Sequence, residues 1–201
     1  TTPKRNKRKM TTFVIADTVR TLSYCKKVPL LALAIFGSSF FLFLGAFIKL
    51  NVVPYSIATL NISEIGGGYL FSTCSVGIAI GAYVAGKTTK QAGTLGLSCL
   101  AALGTSIFFL MIPLTSFSLT FTVINLIALG FVGGLYIVPF DSYIQTKSSE
   151  EKRGQVLATN CFLSFAGVLL APLCLYIFSF VLKISPSTGF IAIGTLNLII
   201  F

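Results

Sequence analysis

The chain has 201 residues, of which 55% are hydrophobic and 10% are charged, and its formal net charge is +10. Soluble domains carry about 25% charged residues, so this composition is close to excluding a soluble enzyme. The chain contains no histidine, which removes histidine-based catalysis and most zinc sites. We therefore expect no metal, no cofactor and no enzyme active site within these residues.

Residues 1–27 form a basic segment that holds eight of the fifteen lysines and arginines. A basic tail sometimes binds nucleic acid, but beside a membrane span it is typical of a topology signal that touches anionic lipid. No nucleic-acid partner is therefore predicted. Apolar residues at helical spacing in residues 11–27 favour a short amphipathic helix on the inner leaflet, with a plain linker as the alternative. Because the chain starts without an initiator methionine, we expect a piece of a longer protein.

Six long apolar runs occupy residues 28–201, and we predict that they form one transmembrane unit. Five of them are long enough to cross a hydrocarbon core of about 30 Å at about 1.5 Å per residue. The sixth is still apolar where the chain stops, which suggests a truncated last helix. The pattern predicts an all-α polytopic membrane protein with six transmembrane helices. The runs are Val28–Ile48, Ile65–Ala85, Gly93–Leu114, Leu119–Val138, Gln155–Leu182 and Ser185–Phe201.

The lysines and arginines fall on alternate sides of the runs. With the amino terminus in the cytoplasm, thirteen basic residues lie inside, and only Lys49 and Lys183 lie outside. This asymmetry is a strong positive-inside signal, so it predicts a cytoplasmic amino terminus. Between the fourth and fifth runs, the sequence SSEE resembles a helix cap followed by acidic first-turn residues. It predicts that the fifth helix begins near Ser149.

Glycine is concentrated in the second and fourth runs. Gly77 and Gly81 are one helical turn apart, which is the GxxxG spacing that permits close approach of two helices. Gly130, Gly133 and Gly134 thin one face of the fourth run. We expect these surfaces to pack helices together, and they are also compatible with helices that rock against each other during transport.

Four polar residues inside or next to the runs are candidates for substrate contact. Polar groups in a membrane need a partner or a wet cavity, and charged ones are functional candidates. Lys49 either extends its ammonium to water at the outer interface or contacts a phosphate, with Asn51 beside it. Asn125 and Asn160 either form hydrogen bonds between helices or touch the substrate.

Asp141 follows Pro139 at the predicted cytoplasmic end of the fourth helix. Two interpretations stay open: it pairs with Lys147 or Arg153 as an inner gate, or it lies at a solvated helix end. No aspartate or glutamate falls in the middle of any run. A proton relay through membrane carboxylates is therefore not predicted for this segment.

Six spans with both ends inside resemble one half of a major facilitator transporter, with the basic segment in the place of that superfamily's central loop. The sequence GIAIGAYVAGKTTK is similar to the superfamily's glycine–basic loop motif. Gly81, Gly86 and Lys87 match that motif, and the usual loop acid is missing. The resemblance implies that the runs are the carboxy-terminal six helices, with an amino-terminal six-helix half as their partner.

Residues 23–51 and 138–167 look like the lysophospholipid transporter branch of that superfamily. The resemblance implies facilitated flipping of lysophospholipid, a membrane lipid, across a bacterial inner membrane by alternating access, and a fused or associated acyltransferase as a further partner. The matching residues are Phe43, Gly45, Ala46, Pro139, Gln145, Glu151, Arg153, Val156, Ala158 and Asn160. The candidate gating and loop-motif residues are Gly77, Gly81, Gly86, Lys87, Pro139, Asp141, Gln145 and Arg153.

Two other functions remain alternatives. The same fold could export drugs or small metabolites. The spans could also serve as a membrane anchor that only holds a fused acyltransferase near its lipid substrate. Since the chain lacks histidine, it does not itself contain the HxxxxD acyltransferase motif.

Overall fold

The computed structural model describes residues 14–92 and 95–201, and the side chains of residues 17–88 and 95–201. The described residues are almost entirely helical and contain no strand, which confirms the predicted all-α class. The prediction for residues 1–13 of the basic segment lies outside the described residues. The helices are α1 (Val14–Cys25), α2 (Leu31–Ala58), α3 (Glu64–Ala92), α4 (Gly96–Leu114), α5 (Leu119–Lys147), α6 (Arg153–Tyr176, extended by a π-helical turn over Ile177–Val181) and α7 (Pro186–Ile200).

Five of these helices, α2 to α6, are long and apolar enough to cross a membrane. The sixth predicted span, α7, is an apolar helix of 15 residues. It begins at Pro186, and Ser185 caps it by accepting a hydrogen bond from the Thr188 backbone N–H. Proline at the first helical position costs no hydrogen bond, because that N–H has no partner in a helix. The protein is therefore a multi-pass membrane protein.

Several helix ends differ from the predicted runs, and three of them bear on the candidate residues. Helix α2 continues past Ile48 to Ala58, and α5 continues past Val138 to Lys147, although each contains a proline in its extension. Hydropathy marks where a chain becomes polar, and these helices stay intact beyond that point. Helix α6 begins at Arg153, four residues after Ser149, and a turn in which the Lys152 and Arg153 N–H groups donate to the Ser149 carbonyl precedes it.

Hydrogen bonds between helices show which helix ends lie together. Ser38, early in α2, donates to Asp141, late in α5. Tyr143 in the same part of α5 donates to the Pro29 carbonyl just before α2. The ends of α1, α3 and α5 and the starts of α2, α4 and α6 therefore form one end of the bundle. We call it the basic end, because it carries Arg20, Lys26, Lys27, Lys87, Lys147, Lys152 and Arg153.

Helices α3 and α5 form the closest contact in the bundle. A Cβ added at Gly81 would collide with the carbonyl oxygen of Phe131, and Gly77, Gly130 and Gly134 face the partner backbone just as closely. Both helices thus use a GxxxG pair, since Gly130 and Gly134 have the same spacing as Gly77 and Gly81. Backbones at this distance bring Cα–H groups against carbonyl oxygens, which adds weak hydrogen bonds to the packing.

Helix α1 lies against the basic end of the bundle, where it contacts α6. Thr18, Thr21 and Cys25 form its buried stripe, at the three- and four-residue spacing of one helix face. Tyr24 donates to the Ser149 hydroxyl at 3.3 Å, and the Lys152 ammonium lies 3.8 Å from the centre of the Tyr24 ring. The described part of the basic segment therefore contains a helix with one face packed on the bundle.

We predict that Gly81→Ala destabilises the protein. The new methyl group would force α3 and α5 apart, at about 1–3 kcal/mol, and this outweighs the gain of about 1 kcal/mol in helix propensity. The measurement is the midpoint of thermal unfolding in detergent. Gly68→Ala is the matched control, because a Cβ at Gly68 meets open space. An equal response of the two variants would contradict the described contact.

We also predict that Cys25 resists maleimide labelling. Burial raises the pKa of the Cys25 thiol, so the reactive thiolate is scarce at neutral pH, and the side chain is 0% exposed. The test uses a variant in which Cys25 is the sole cysteine, and the control adds Ser23→Cys on the exposed face of α1. Labelling should rise from near zero to about one label per chain in the control. Rapid labelling of Cys25 itself would show that α1 does not dock.

Candidate functional site

Lys49 lies within α2 and not at its end. The helix has 28 residues, about 42 Å in length, and continues for about 13 Å beyond Lys49. If a hydrocarbon core of about 30 Å were centred on α2, Lys49 would lie about 7 Å inside its outer edge. The side chain is exposed on the same side of α2 as Leu42, Ala46 and Val53. Val53 contacts Gly67, so this side of α2 borders α3.

Asn51 does not accompany Lys49. Two residues along a helix differ by about 200° in direction, and Asn51 points into the bundle with 1% of its surface exposed. Its Nδ2 donates to the Pro186 carbonyl at the start of α7 over 2.8 Å. This carbonyl belongs to the first turn of a helix, and the bond fixes α7 to the outer part of α2.

Asn125 and Asn160 have different surroundings. Asn125 is buried on α5, and its Nδ2 donates to the Phe108 carbonyl on α4 at 3.1 Å. The sequence analysis offered such a hydrogen bond between helices as one of two interpretations of Asn125. The Oδ1 of Asn125 has no partner. Asn160 is half-buried on α6 with an unpartnered, buried Oδ1. The four candidate contact residues thus lie on separate helix faces and do not converge on one point.

Asp141 lies inside α5, about 9 Å before the helix ends at Lys147. Its carboxylate is half-buried and accepts a hydrogen bond of 2.8 Å from the Ser38 hydroxyl. Lys147 and Arg153 are exposed, and within the described residues neither forms an ion pair with Asp141. Asp141 therefore lies in the last two turns of α5, bonded to α2, and forms no ion pair with the described residues.

The remaining loop-motif residues lie near the basic end. A Cβ at Gly86 meets open space, and Lys87 is exposed with its ammonium 4.5 Å from the centre of the Tyr83 ring. Pro139 is buried within α5, and Gln145 is exposed in its last turn. Gly77 and Gly81 belong instead to the α3–α5 contact. The motif therefore divides into a packing part within the bundle and a part on the surface.

The sequence reasoning missed Asn197, whose Nδ2 has three hydrogen-bond partners on α4 while its buried Oδ1 has none. It is 0% exposed on α7, and its Nδ2 lies 2.8–2.9 Å from the Ala102 carbonyl and the hydroxyls of Thr105 and Ser106 on α4. Because a carbonyl oxygen only accepts hydrogen bonds, the nitrogen of the Asn197 amide must face Ala102, and this fixes the orientation of the amide. The sequence did contain a signal for this residue, because Asn197 is a single amide side chain within the last apolar run.

A cavity inside the bundle is too small for a lipid headgroup. An apolar cavity of about 20 Å³ lies between α2, α3, α4 and α5 and is lined on one side by Thr105. This volume corresponds to about one water molecule, so a headgroup does not fit there. Among the described residues, no group of three or more cysteines and carboxylates is arranged to hold a metal ion.

We predict that one of two asparagine substitutions lowers the free energy of unfolding and that the other does not. Asn51→Ala removes a buried bond between α2 and α7 and should cost about 0.5–1.5 kcal/mol of unfolding free energy. Asn160→Ala should be neutral or stabilising, because it deletes a buried oxygen that has no partner. Thermal unfolding in detergent measures both. A larger loss for Asn160→Ala would mean that its amide has a partner that the described geometry lacks.

The geometry establishes a multi-pass helical bundle with a charged lysine on an exposed helix face and a half-buried carboxylate toward the basic end. No family model, curated protein or solved structure significantly matches the chain.

Proposed function

We propose that this chain is one six-helix half of an alternating-access transporter of the major facilitator type, and that its cargo is a lysophospholipid. Two six-helix bundles would rock around a central path in a bacterial inner membrane, with the basic end in the cytoplasm. The partner half, supplied by amino-terminal sequence, would complete the path. The pairing of the six helices is the observation that carries this proposal.

The membrane helices pack in a pattern that a two-fold axis in the membrane plane would produce. The large pairings include α3 with α5, α2 with α6 and α4 with α7. The axis would exchange α2 with α5, α3 with α6 and α4 with α7. Under this exchange the α3–α5 pairing becomes the α6–α2 pairing, and the α4–α7 pairing is unchanged. The α4–α5 contact likewise has a smaller counterpart between α7 and α2. Because α2 and α5 run in opposite directions, these pairings support an inverted repeat of the kind found in secondary transporters.

The proposed path lies on the surface of this half, where the partner half would face it, and not in the cavity between α2, α3, α4 and α5, which is too small for a headgroup. Lys49 offers a positive charge on that surface at a depth where lipid alone would leave an ammonium poorly solvated. A phosphate is the natural counter-ion. The exposed apolar face of α6, which includes Phe165, Leu169 and Leu173, would lie against an acyl chain or the partner half.

The positive-inside rule supports the proposed orientation. The basic end carries nearly all of the described lysines and arginines, whereas Lys183 lies at the opposite end. Cytoplasmic loops of membrane proteins carry this excess. The flipping of a lysophospholipid toward the cytoplasmic leaflet would then start at the end of the bundle that is nearer to Lys49.

We predict that Lys49→Ala in the full-length protein raises the apparent KM for lysophosphatidylethanolamine uptake by about tenfold. A hydrogen bond to a charged group contributes about 1.5–3 kcal/mol, and about 1.4 kcal/mol corresponds to a factor of ten. Uptake of labelled lipid into proteoliposomes is the measurement. Lys49→Arg should keep uptake, and Lys183→Ala is the matched control. Unchanged uptake by Lys49→Ala at equal expression would remove Lys49 from the mechanism.

Two further experiments separate the alternatives. The first is a competition experiment. Transport that polar solutes inhibit and that excess lysolipid does not inhibit would favour an exporter of drugs or small metabolites. Replacement of the spans by an unrelated membrane domain tests the anchor function. Uptake that survives this replacement would show that the spans only hold an acyltransferase at the membrane.

A further inference from the structure

The cavity between α2, α3, α4 and α5 has apolar walls and is partly open. The hydroxyl in its lining belongs to Thr105, which already donates to the Ala102 carbonyl and accepts a hydrogen bond from Asn197. A buried water needs two to four polar partners, and the apolar walls do not offer them. A hydrocarbon group needs no such partner, so the cavity suits a methylene group better than a water molecule.

The mouth of this cavity lies between α2 and α3. Phe41 and Gly45 on α2 and Ile78 on α3 are half-buried, whereas the other lining residues are buried. A Cβ at Gly45 would meet nothing within 4 Å. The glycine therefore leaves the mouth open, and a larger side chain at this position would narrow it.

The floor of the cavity is held in place by the close packing of the bundle. Gly130, which lines it, faces the backbone of Cys74 so closely that no Cβ would fit. The ring of Phe41 lies 3.2 Å from the position that a Cβ at Gly133 would take. Because these contacts fix the walls, the space does not close when the helices pack.

Lys49 lies next to this mouth on the same helix. Gly45 precedes it by four residues, so the two share one face of α2 at a separation of about 6 Å along the axis. Gly45 is the one nearer to the basic end, and it therefore lies deeper in the membrane than Lys49. A phosphate on the Lys49 ammonium would have the apolar mouth one helical turn further inward.

A lysophospholipid presents the matching groups in the same order. Its phosphate is joined through glycerol to a single acyl chain, and the glycerol unit spans about one helical turn. The cavity, at about 20 Å³, has room for about one water molecule, and a methylene group is of similar size. The cavity is thus wide enough for one hydrocarbon chain and not for two.

We propose that this cavity is an acyl-chain subsite, which receives the first methylene groups of a lysophospholipid whose phosphate binds Lys49. The headgroup stays on the surface of this half, and the chain presses into the mouth between Phe41, Gly45 and Ile78. Each methylene group that leaves water or a polar surface strengthens binding by about fourfold. The inference rests on the proposed function, and it names the part of the substrate that Gly45 admits.

The test measures lysophosphatidylethanolamine uptake by the full-length protein in proteoliposomes. Gly45→Leu narrows the mouth and favours the helix, because leucine has a higher helix propensity than glycine. It should raise the apparent KM by about four- to fifteenfold, which corresponds to one or two methylene groups. Gly68→Leu is the matched control, since a Cβ at Gly68 also meets open space, and it should leave the KM unchanged. An unchanged KM for Gly45→Leu overturns the inference.

A headgroup without a chain separates the two parts of the site. Glycerophosphoethanolamine has the same headgroup and no acyl chain, so it should inhibit uptake by the wild type and by Gly45→Leu equally. Weaker inhibition of Gly45→Leu would show that the substitution disturbs the headgroup site, and it would overturn the assignment of the cavity to the acyl chain.

Photolabelling tests the subsite without transport. The probe is lysophosphatidylethanolamine with a diazirine on one of the first carbons of its acyl chain, and mass spectrometry locates the adducts on the full-length protein. Adducts at Phe41, Gly45 or Ile78 support the subsite, and adducts that leave all three unlabelled overturn it. A diacyl probe with the same diazirine that labels these residues equally would show an ordinary membrane-lipid contact and would also overturn it.

The outcomes distinguish this inference from the proposed function. Wild-type uptake together with an unchanged KM for Gly45→Leu would overturn the subsite and leave lysophospholipid transport standing. The absence of wild-type uptake, with the protein folded, would overturn the proposed function. Photolabelling then decides whether the cavity binds the acyl chain.

Discussion

The backbone contact between α3 and α5 is the constraint on which the rest of the bundle depends. The Gly77–Gly81 and Gly130–Gly134 pairs leave no room for even one methyl group, so the relative height and rotation of these two helices are fixed. In a bilayer, where lipid tails are as apolar as side chains, such close packing is a main source of helix association. Helices α2 and α4 then pack against α5 and take their positions from it.

Three buried amides within this framework join neighbouring helices through their nitrogen atoms, although the oxygens of Asn125 and Asn197 have no partner. Asn51 fixes α7 to α2, Asn125 joins α5 to α4, and Asn197 joins α7 to α4. Each amide uses its donor nitrogen on a carbonyl of a neighbouring helix. The bundle thus uses its buried amides for cohesion, and the charged groups available for function are those that the packing leaves on the surface or half-buried.

The sequence predicted the class of fold and the number of apolar helices, because hydropathy and the distribution of lysine and arginine are strong signals in a membrane protein. It located helix ends poorly. An apolar run stops where polar residues begin, whereas α2 and α5 continue through Lys49 and Asp141. The predicted runs therefore placed Lys49 and Asp141 at or beyond helix ends, whereas both lie inside helices. The sequence also placed Asn51 beside Lys49, since adjacency along the chain does not show that two helical residues face opposite directions.

The corrected helix ends change the meaning of the two charges. Ser38, the partner of Asp141, and Lys49 are eleven residues apart on α2, which is about three turns, or about 16 Å, along nearly the same face. Lys49 therefore lies toward the outer end and Asp141 toward the basic end of one side of this half. At that separation the two groups do not neutralise each other, since a direct ion pair needs contact within about 4 Å. The two charges therefore lie at different heights on one side of this half.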